Sequence, residues 1–223
     1  STFVHLSTEQ GNDAQQVAKP IVVQDGKIYL QRYWQYEWLL ASIIKQKAGK
    51  QPTLDVASAH ALLVELFDKG RETELDWQKV AVCLAASQSL SFITGGPGTG
   101  KTTTVTKLLA LLQGLAAKNG KILNIQLVAP TGKAAARLTE SISKAKQKLP
   151  VRLTTNLPEQ CQTIHRLLGA KPQSPYFKAD AKQPLNLDVL VLDEASMVDL
   201  PLMAKLFAAL PKEDPAPSLW YLS

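Results

Sequence analysis

The stretch that most constrains what this chain can fold into is Gly95-Gly96-Pro97-Gly98-Thr99-Gly100-Lys101-Thr102. It fits G-x-x-x-x-G-K-[ST], the phosphate-binding loop, and its flanks fit too. A β-prone apolar run, 90–94, enters the loop, and Val105, Leu108, Leu109 and Leu112 leave it at helical spacing. Glycines let the backbone curl until its N–H groups converge on phosphate oxygens. The helix N-terminus brings partial positive charge to the same point. Lys101 adds a mobile cation for the β- and γ-phosphates, and the Thr102 hydroxyl suits Mg2+. The candidate ATP contacts are therefore Gly95, Gly96, Pro97, Gly98, Thr99, Gly100, Lys101, Thr102 and Thr103. The competing reading is a glycine-rich turn that matches by chance. The strand before it and the helix after it argue against that.

A phosphate loop needs an acidic partner. The apolar run 187–192 ends in Asp193-Glu194. Asp193 is the candidate for the Mg2+ shell, and Glu194, one residue on, is placed to polarise an attacking water. Lys101, Asp193 and Glu194 are thus the candidate catalytic set, with Thr102 and Asp193 for the metal. The bland alternative is a strand end with two solvated carboxylates. Water as acceptor favours hydrolysis over transfer to a metabolite, and nothing in the sequence suggests the lid or acceptor site of a phosphate-loop kinase.

The remaining pattern alternates strands with helices. It predicts an α/β fold, a parallel sheet with helices on both faces. Residues 1–20 read as a loop or frayed end. Asp25-Gly26 between 21–24 and 27–30 predicts a hairpin. Residues 31–47 read as a helix carrying Tyr33, Trp34, Tyr36 and Trp38, which could stack bases, anchor a partner or fill a small core. A second helix spans 53–68, with Leu62, Leu63, Leu66 and Phe67 inward. The polar stretch 69–74 is the most linker-like, so the domain boundary is placed there. Asp76 is the expected cap of a helix to 87 whose apolar face holds Val80, Leu84 and alanines. A strand at 122–128 and a helix from Thr131 follow. On that helix Leu138, Ile142, Ala145 and Leu149 share one face, and Lys133, Arg137, Lys144 and Lys148 share another. Residues 150–161 and 170–185 read as loops around a short helix at 163–168. A helix at 200–210, a turn at 212–217 and a strand from 218 complete the chain.

Charge sharpens this picture. Residues 101–182 hold 14 Lys and Arg against 3 Asp and Glu, while the whole chain has a net charge of +6. A basic middle beside a nucleotide loop suggests a polyanion track, with a merely solvated surface as the alternative. Cys83 and Cys161 lack any C-x-x-C spacing and read as reduced core thiols, which points to a reducing cytoplasmic home. No apolar run approaches the ~20 residues of a membrane span, and the N-terminus has no signal pattern.

Four stretches together carry a resemblance: the phosphate loop; Ala129-Pro130-Thr131-Gly132-Lys133 through Leu138; Thr163-Ile164-His165-Arg166 through Gly169; and Leu192-Asp193-Glu194 through Met197. In this order they resemble the RecD family, alpha subunits of RecBCD-type exodeoxyribonuclease V within the superfamily 1 DNA helicases that move 5′ to 3′. The motifs cover about residues 78–200. The resemblance implies a RecA-like motor domain over 75–223, incomplete at its C-terminus, and part of a small, mainly helical, partner-docking domain over 1–74. It implies ATP and Mg2+ as cofactors, and single-stranded DNA and other subunits of a RecBCD-type complex as partners, in double-strand break repair and recombination. Gln78 resembles the glutamine that reads adenine; an exposed helix residue is the alternative. Pro130, Thr131 and Lys133, with Arg137 on the basic face, resemble a strand-contacting motif, as do Thr163 and His165; for His165, core packing is equally open.

Family members are much longer. The next motif, a Gly-Asp…Gln expected after residue 222, and the second motor domain are missing, so the chain reads as a fragment that should not translocate alone. The tail from Asp214 fits the family poorly. The rivals are a stand-alone RecD-like or conjugative superfamily 1 helicase and, from another class, a nucleotide-gated partner-binding module.

Overall fold

The acids sit at the end of a strand buried on both faces. In the computed structural model, which describes residues 4–6, 20–48, 50–67, 75–96, 98–174, 176–211 and 218–222, Val189 and Val191 belong to one apolar cluster. Leu190 and Leu192 belong to another. Alternate side chains of a strand point to opposite faces, so an unbroken apolar run needs helices on both sides.

The elements follow in order. A small sheet of β1 (Val4–Leu6), β2 (Ile21–Gln24) and β3 (Lys27–Leu30) leads into α1 (Gln31–Ala48), α2 (Val56–Leu66) and α3 (Trp77–Ala86). Then come β4 (Leu90–Ile93), α4 (Lys101–Lys118), β5 (Ile125–Ala129), α5 (Gly132–Lys146), α6 (Val151–Thr154), β6 (Gln162–Thr163) and α7 (Ile164–Leu168). β7 (Val189–Asp193), a single 3-10 turn (Ala195–Met197), α8 (Leu200–Ala208) and β8 (Ser218–Leu222) close the chain. The main sheet has the order β4-β8-β7-β5-β6, and every neighbouring pair is parallel. Helices α2 to α6 cover one face and α1, α7 and α8 the other.

The chain crosses from β4 past two positions to β5 and β6, returns to β7, and only then fills the gap with β8. Loop and acids therefore come from strands two places apart, with β8 between them. Ile93 on β4 is level with Leu222 on β8, and Leu222 with Asp193 on β7. At the usual strand spacing, this sets the ends of β4 and β7 about 10 Å apart.

Several expectations change. Val4–Leu6 is not a loop but pairs in parallel with Ile21–Val23; a three-residue strand carries too little pattern to be read. The hairpin is as expected, with Asp25 and Gly26 both at positive φ. The aromatics of α1 do not fill a core. Tyr33 is 38% and Trp38 55% exposed, and Trp34 Nε1 donates to Gln24 Oε1 at 2.7 Å. Helix α2 starts at Val56, capped by Asp55. Helix α3 buries Val82, Ala85 and Ala86, while Leu84 faces outward at 62%. Strand β5 starts at Ile125, and α5 ends at Lys146, which leaves Lys148 and Leu149 in the turn beyond it. Cys83 is exposed rather than in the core. A short helix, α6, lies in the expected loop 150–161.

The two helices before residue 74 do not enclose a core of their own. Leu40, Ile43 and Ile44 of α1 pack with Phe207 and Leu90, and Leu62, Leu63 and Leu66 of α2 pack with the α4 leucines. Linker 69–74, Pro97 and turn 212–217 lie outside the described residues. Among the described residues, no helix is long and apolar enough to cross a membrane.

Candidate nucleotide-binding site

Every described candidate residue except Gln78 lies at or beyond the C-terminal end of a main-sheet strand, the edge where open α/β sheets bind ligands. Gly98 and Gly100 stand at φ +77° and +82°, a region other residues enter only with strain. Gly100 caps α4 without any side-chain hydrogen bond, so the first-turn N–H groups of that helix are left for an anion. Thr99 Oγ1 donates to Gly96 O at 2.9 Å and holds the loop closed. Lys101 Nζ donates to Gly95 O at 2.6 Å and to Gly96 O at 3.2 Å, which keeps its charge at the loop. Thr102 and Thr103 follow in the first turn of α4, and among the described residues the Thr102 hydroxyl has no partner.

Gln78 comes to this loop from α3. Asp76 accepts from Gln78 N at 2.9 Å and Lys79 N at 3.1 Å, the N-cap expected from sequence. Gln78 Nε2 then donates to Thr99 O at 3.3 Å. A Cβ at Gly100 would stand 2.5 Å from Gln78 Nε2. Gln78 thus braces the loop backbone, a contact that no spacing in the sequence announces.

Asp193 accepts from Glu194 N at 3.0 Å through Oδ1. Burial raises its carboxyl above the usual range and the Glu194 charge adds to this, while the Glu194 N–H and the Lys101 charge pull it down. Lys101 and Asp193 therefore lie in each other's field. Glu194 has φ +50°, uncommon for a residue with a Cβ; the turn after β7 fixes where its side chain starts. Cys161, expected from sequence as a reduced core thiol, is free and half-buried against the core. Burial, with a smaller push from Asp193, raises its thiol to about 12. Its neighbour β6 has only two residues, too short to be legible.

The remaining candidates form a second group on the same edge. Ala129 is level with Thr163 across β5 and β6, so Pro130 and Thr131 lie beside Thr163. Both threonines are caps: Thr131 Oγ1 accepts from Ala134 N and Thr163 Oγ1 from Arg166 N, each at 3.2 Å. Lys133, Arg137 and Lys144 are exposed. Leu138, Ile142 and Ala145 are buried on the opposite side of α5, as the spacing requires. Lys144 is paired with Glu140 at 2.6 Å. His165 is exposed, its ring 5.8 Å from that of Phe177; core packing does not hold it.

Comparison with known proteins agrees with this geometry. The chain is similar to the RecBCD enzyme subunit RecD of Haemophilus influenzae, 46% identical over 202 residues covering 87% of this chain and 31% of that protein. The subunit of the same name from Mycobacterium tuberculosis (strain H37Rv) is 42% identical over 192 residues, covering 83% and 31%. The ATP-dependent RecD2 DNA helicase of Deinococcus radiodurans is 32% identical over 194 residues, covering 87% and 24%. The chain thus spans about a third of the length of the RecD subunits it matches. In structure, T4 UvsW shares the fold with a TM-score of 0.51 at 12% identity, covering 83% of this chain and 40% of that one. The AAA domain model matches residues 78–216, opening on Gln78 and taking in the loop, the acids and most of the sheet. With more than half of its length so matched, the chain belongs to the AAA domain family.

Proposed function

We propose that this chain is the ATP-binding motor portion of a 5′–3′ DNA helicase subunit of the RecBCD type, acting in double-strand break repair and recombination in the cytoplasm. One observation supports the reading: Ile93, just before the phosphate loop, and Asp193 stand level with the same residue, Leu222, of the single strand between them. The phosphate loop and the acidic strand end therefore open on the same sheet edge, which supports reading them as one site.

In this reading the backbone N–H groups of residues 95–103, Pro97 excepted, and Lys101 hold the triphosphate, and Gln78 borders the adenine while bracing the loop. Among the described residues no three His, Cys, Asp or Glu side chains gather as a metal site. That suits Mg2+ on a nucleotide, which needs only one or two protein ligands beside phosphate oxygens and water. The unpartnered Thr102 hydroxyl and the half-buried Asp193 carboxylate fit that role. Mg2+, when bound, neutralises charge on the phosphates. Glu194 takes the water's proton as it attacks the γ-phosphate. Single-stranded DNA runs over Pro130, Thr131, Lys133, Arg137, Thr163 and His165.

Residues 1–74 are proposed as part of a partner-docking domain for other subunits. Ile28 at 76%, Leu30 at 60%, Trp38 at 55% and Tyr33 at 38% exposure favour docking as a job of that part. The site test is equilibrium binding of a fluorescent ATP analogue. Lys101→Ala should abolish it; unchanged affinity would remove the nucleotide site and the motor reading with it.

A further inference from the structure

The last strand of the main sheet has little of the sheet to hold it. β6 stands at the edge and pairs only Gln162 and Thr163 with β5. Two residues in parallel pairing make few ladder bonds, and those are slanted. Yet this strand leads directly into Thr163 and His165, proposed above to meet single-stranded DNA. Their position needs a hold that the ladder does not supply.

Thr139, half-buried in the middle of α5, supplies one. Its Oγ1 accepts from Cys161 N, just before β6, at 2.9 Å. It donates to Ala135 O, one turn back in α5, also at 2.9 Å. A hydroxyl has one hydrogen and two lone pairs. Here the hydrogen returns to the helix and a lone pair takes the strand. Both partners are main-chain atoms, so what the threonine fixes is backbone against backbone. Cys161 precedes the register of β5 and β6, and its N–H turns to α5 instead.

A row of amides holds the same strand from the sheet. Gln162 Nε2 donates to Gln126 Oε1 at 3.1 Å, Gln126 Nε2 to Asn124 Oδ1 at 2.9 Å, and Asn124 Nδ2 to Asn186 O at 2.6 Å. The row ends on a main-chain carbonyl, which fixes the direction of every amide in it. Its outer members are exposed, so water competes for those bonds. The Thr139 bond is better sheltered, because Cys161 packs on Ala129, Ala134 and Ala135. A partner lost there is poorly replaced by water.

Both elements that Thr139 joins carry residues of the proposed DNA track. Lys133 and Arg137 are exposed on α5. Beyond β6, Thr163 caps α7 through Arg166 N, and His165 is exposed at the start of that helix. We propose that Thr139 is a positioning residue for single-strand binding: its hydroxyl clasps β6 to α5 and so sets Thr163 and His165 at a fixed distance from Lys133 and Arg137. This rests on the DNA track proposed above and adds a residue that need not touch the strand. With the clasp open, the segment from Cys161 to His165 would have to be ordered at each binding event, which costs affinity.

The test compares Thr139→Val, which keeps the volume and removes the hydroxyl, with Thr139→Ser, which keeps the hydroxyl. Hydrogen exchange of the Cys161 amide is followed by NMR, and binding of a labelled oligo(dT) by fluorescence anisotropy. In Thr139→Val the amide should exchange about tenfold faster and the oligonucleotide should bind about fivefold more weakly, with the ATP analogue bound as before. Thr139→Ser should stay within about twofold of wild type in all three measurements. Faster exchange with unchanged oligonucleotide binding would make the threonine merely structural and overturn the proposal. So would unchanged exchange, an equal loss in Thr139→Ser, or a parallel loss of ATP-analogue binding. Joint reversal, Lys133→Glu with Arg137→Glu, checks the track itself. If it leaves oligonucleotide binding unaltered, the DNA reading fails and takes the proposal with it. If it weakens binding while Thr139→Val does not, the proposal alone fails.

Discussion

At the residue scale, chemistry was legible where it is concentrated and hidden where it depends on the turn of the chain. Lys101, Thr102, Asp193 and Glu194 are proposed directly from the sequence because a phosphate site demands those types in that order, and the strands that carry them end on one sheet edge. Cys83 could not be placed that way. The pattern of α3 permits two apolar faces, and the choice fell to Val82, Ala85 and Ala86 packing under the sheet, which turned Cys83 and Leu84 outward. The two thiols should consequently behave very differently. Burial and the Asp193 charge put Cys161 at about 12, so at pH 8 only about one molecule in ten thousand carries its thiolate. In a Cys83→Ala background, alkylation of Cys161 should be very slow at pH 8 and rise about tenfold per pH unit above it. Asp193→Asn, which removes a nearby negative charge, should speed it. Modification of Cys161 in the folded chain as fast as free cysteine would contradict this environment.

At the element scale, the sheet could be inferred from alternation, but neither its order nor the helix ends could. The place of β8 between β4 and β7 rests on pairing between distant segments, which no local period encodes. The end of α5 at Lys146 moved Lys148 off the basic face, because Gln147 and Lys148 bond back to the last turn. The cap of α3 was legible in Asp76, and its consequence belongs to the whole helix. Asp76→Ala removes two hydrogen bonds at that end and should cost about 1 kcal/mol. For a chain of this size, that lowers the melting temperature by about 2–4 °C. Because Gln78 hangs from the same turn, the variant should also weaken binding of the ATP analogue. A melt unchanged within error would mean that the cap does not hold α3.

At the scale of the whole molecule, the basic surplus of residues 101–182 becomes a surface with a direction. Lys133 and Arg137 are exposed near the strand ends that carry Pro130 and Thr163, while Glu140 partly neutralises Lys144. Reversing all three to Glu should weaken binding of a single-stranded oligonucleotide. The slope of log affinity against log salt should flatten by about 1.4 to 2, since each phosphate contact contributes about 0.7 and Lys144 contributes least. An unmoved slope would leave the basic face as solvated surface. Underneath this lies the claim that the ends of β4 and β7, brought together by a strand inserted between them, share one metal ion on a triphosphate. Its most direct measurement is an electron paramagnetic resonance titration of Mn2+, in place of Mg2+, with ATP present. The wild-type chain should hold the ion, and Asp193→Asn and Thr102→Val should each weaken it by about tenfold or more. Equal Mn2+ affinity in all three proteins would contradict the account.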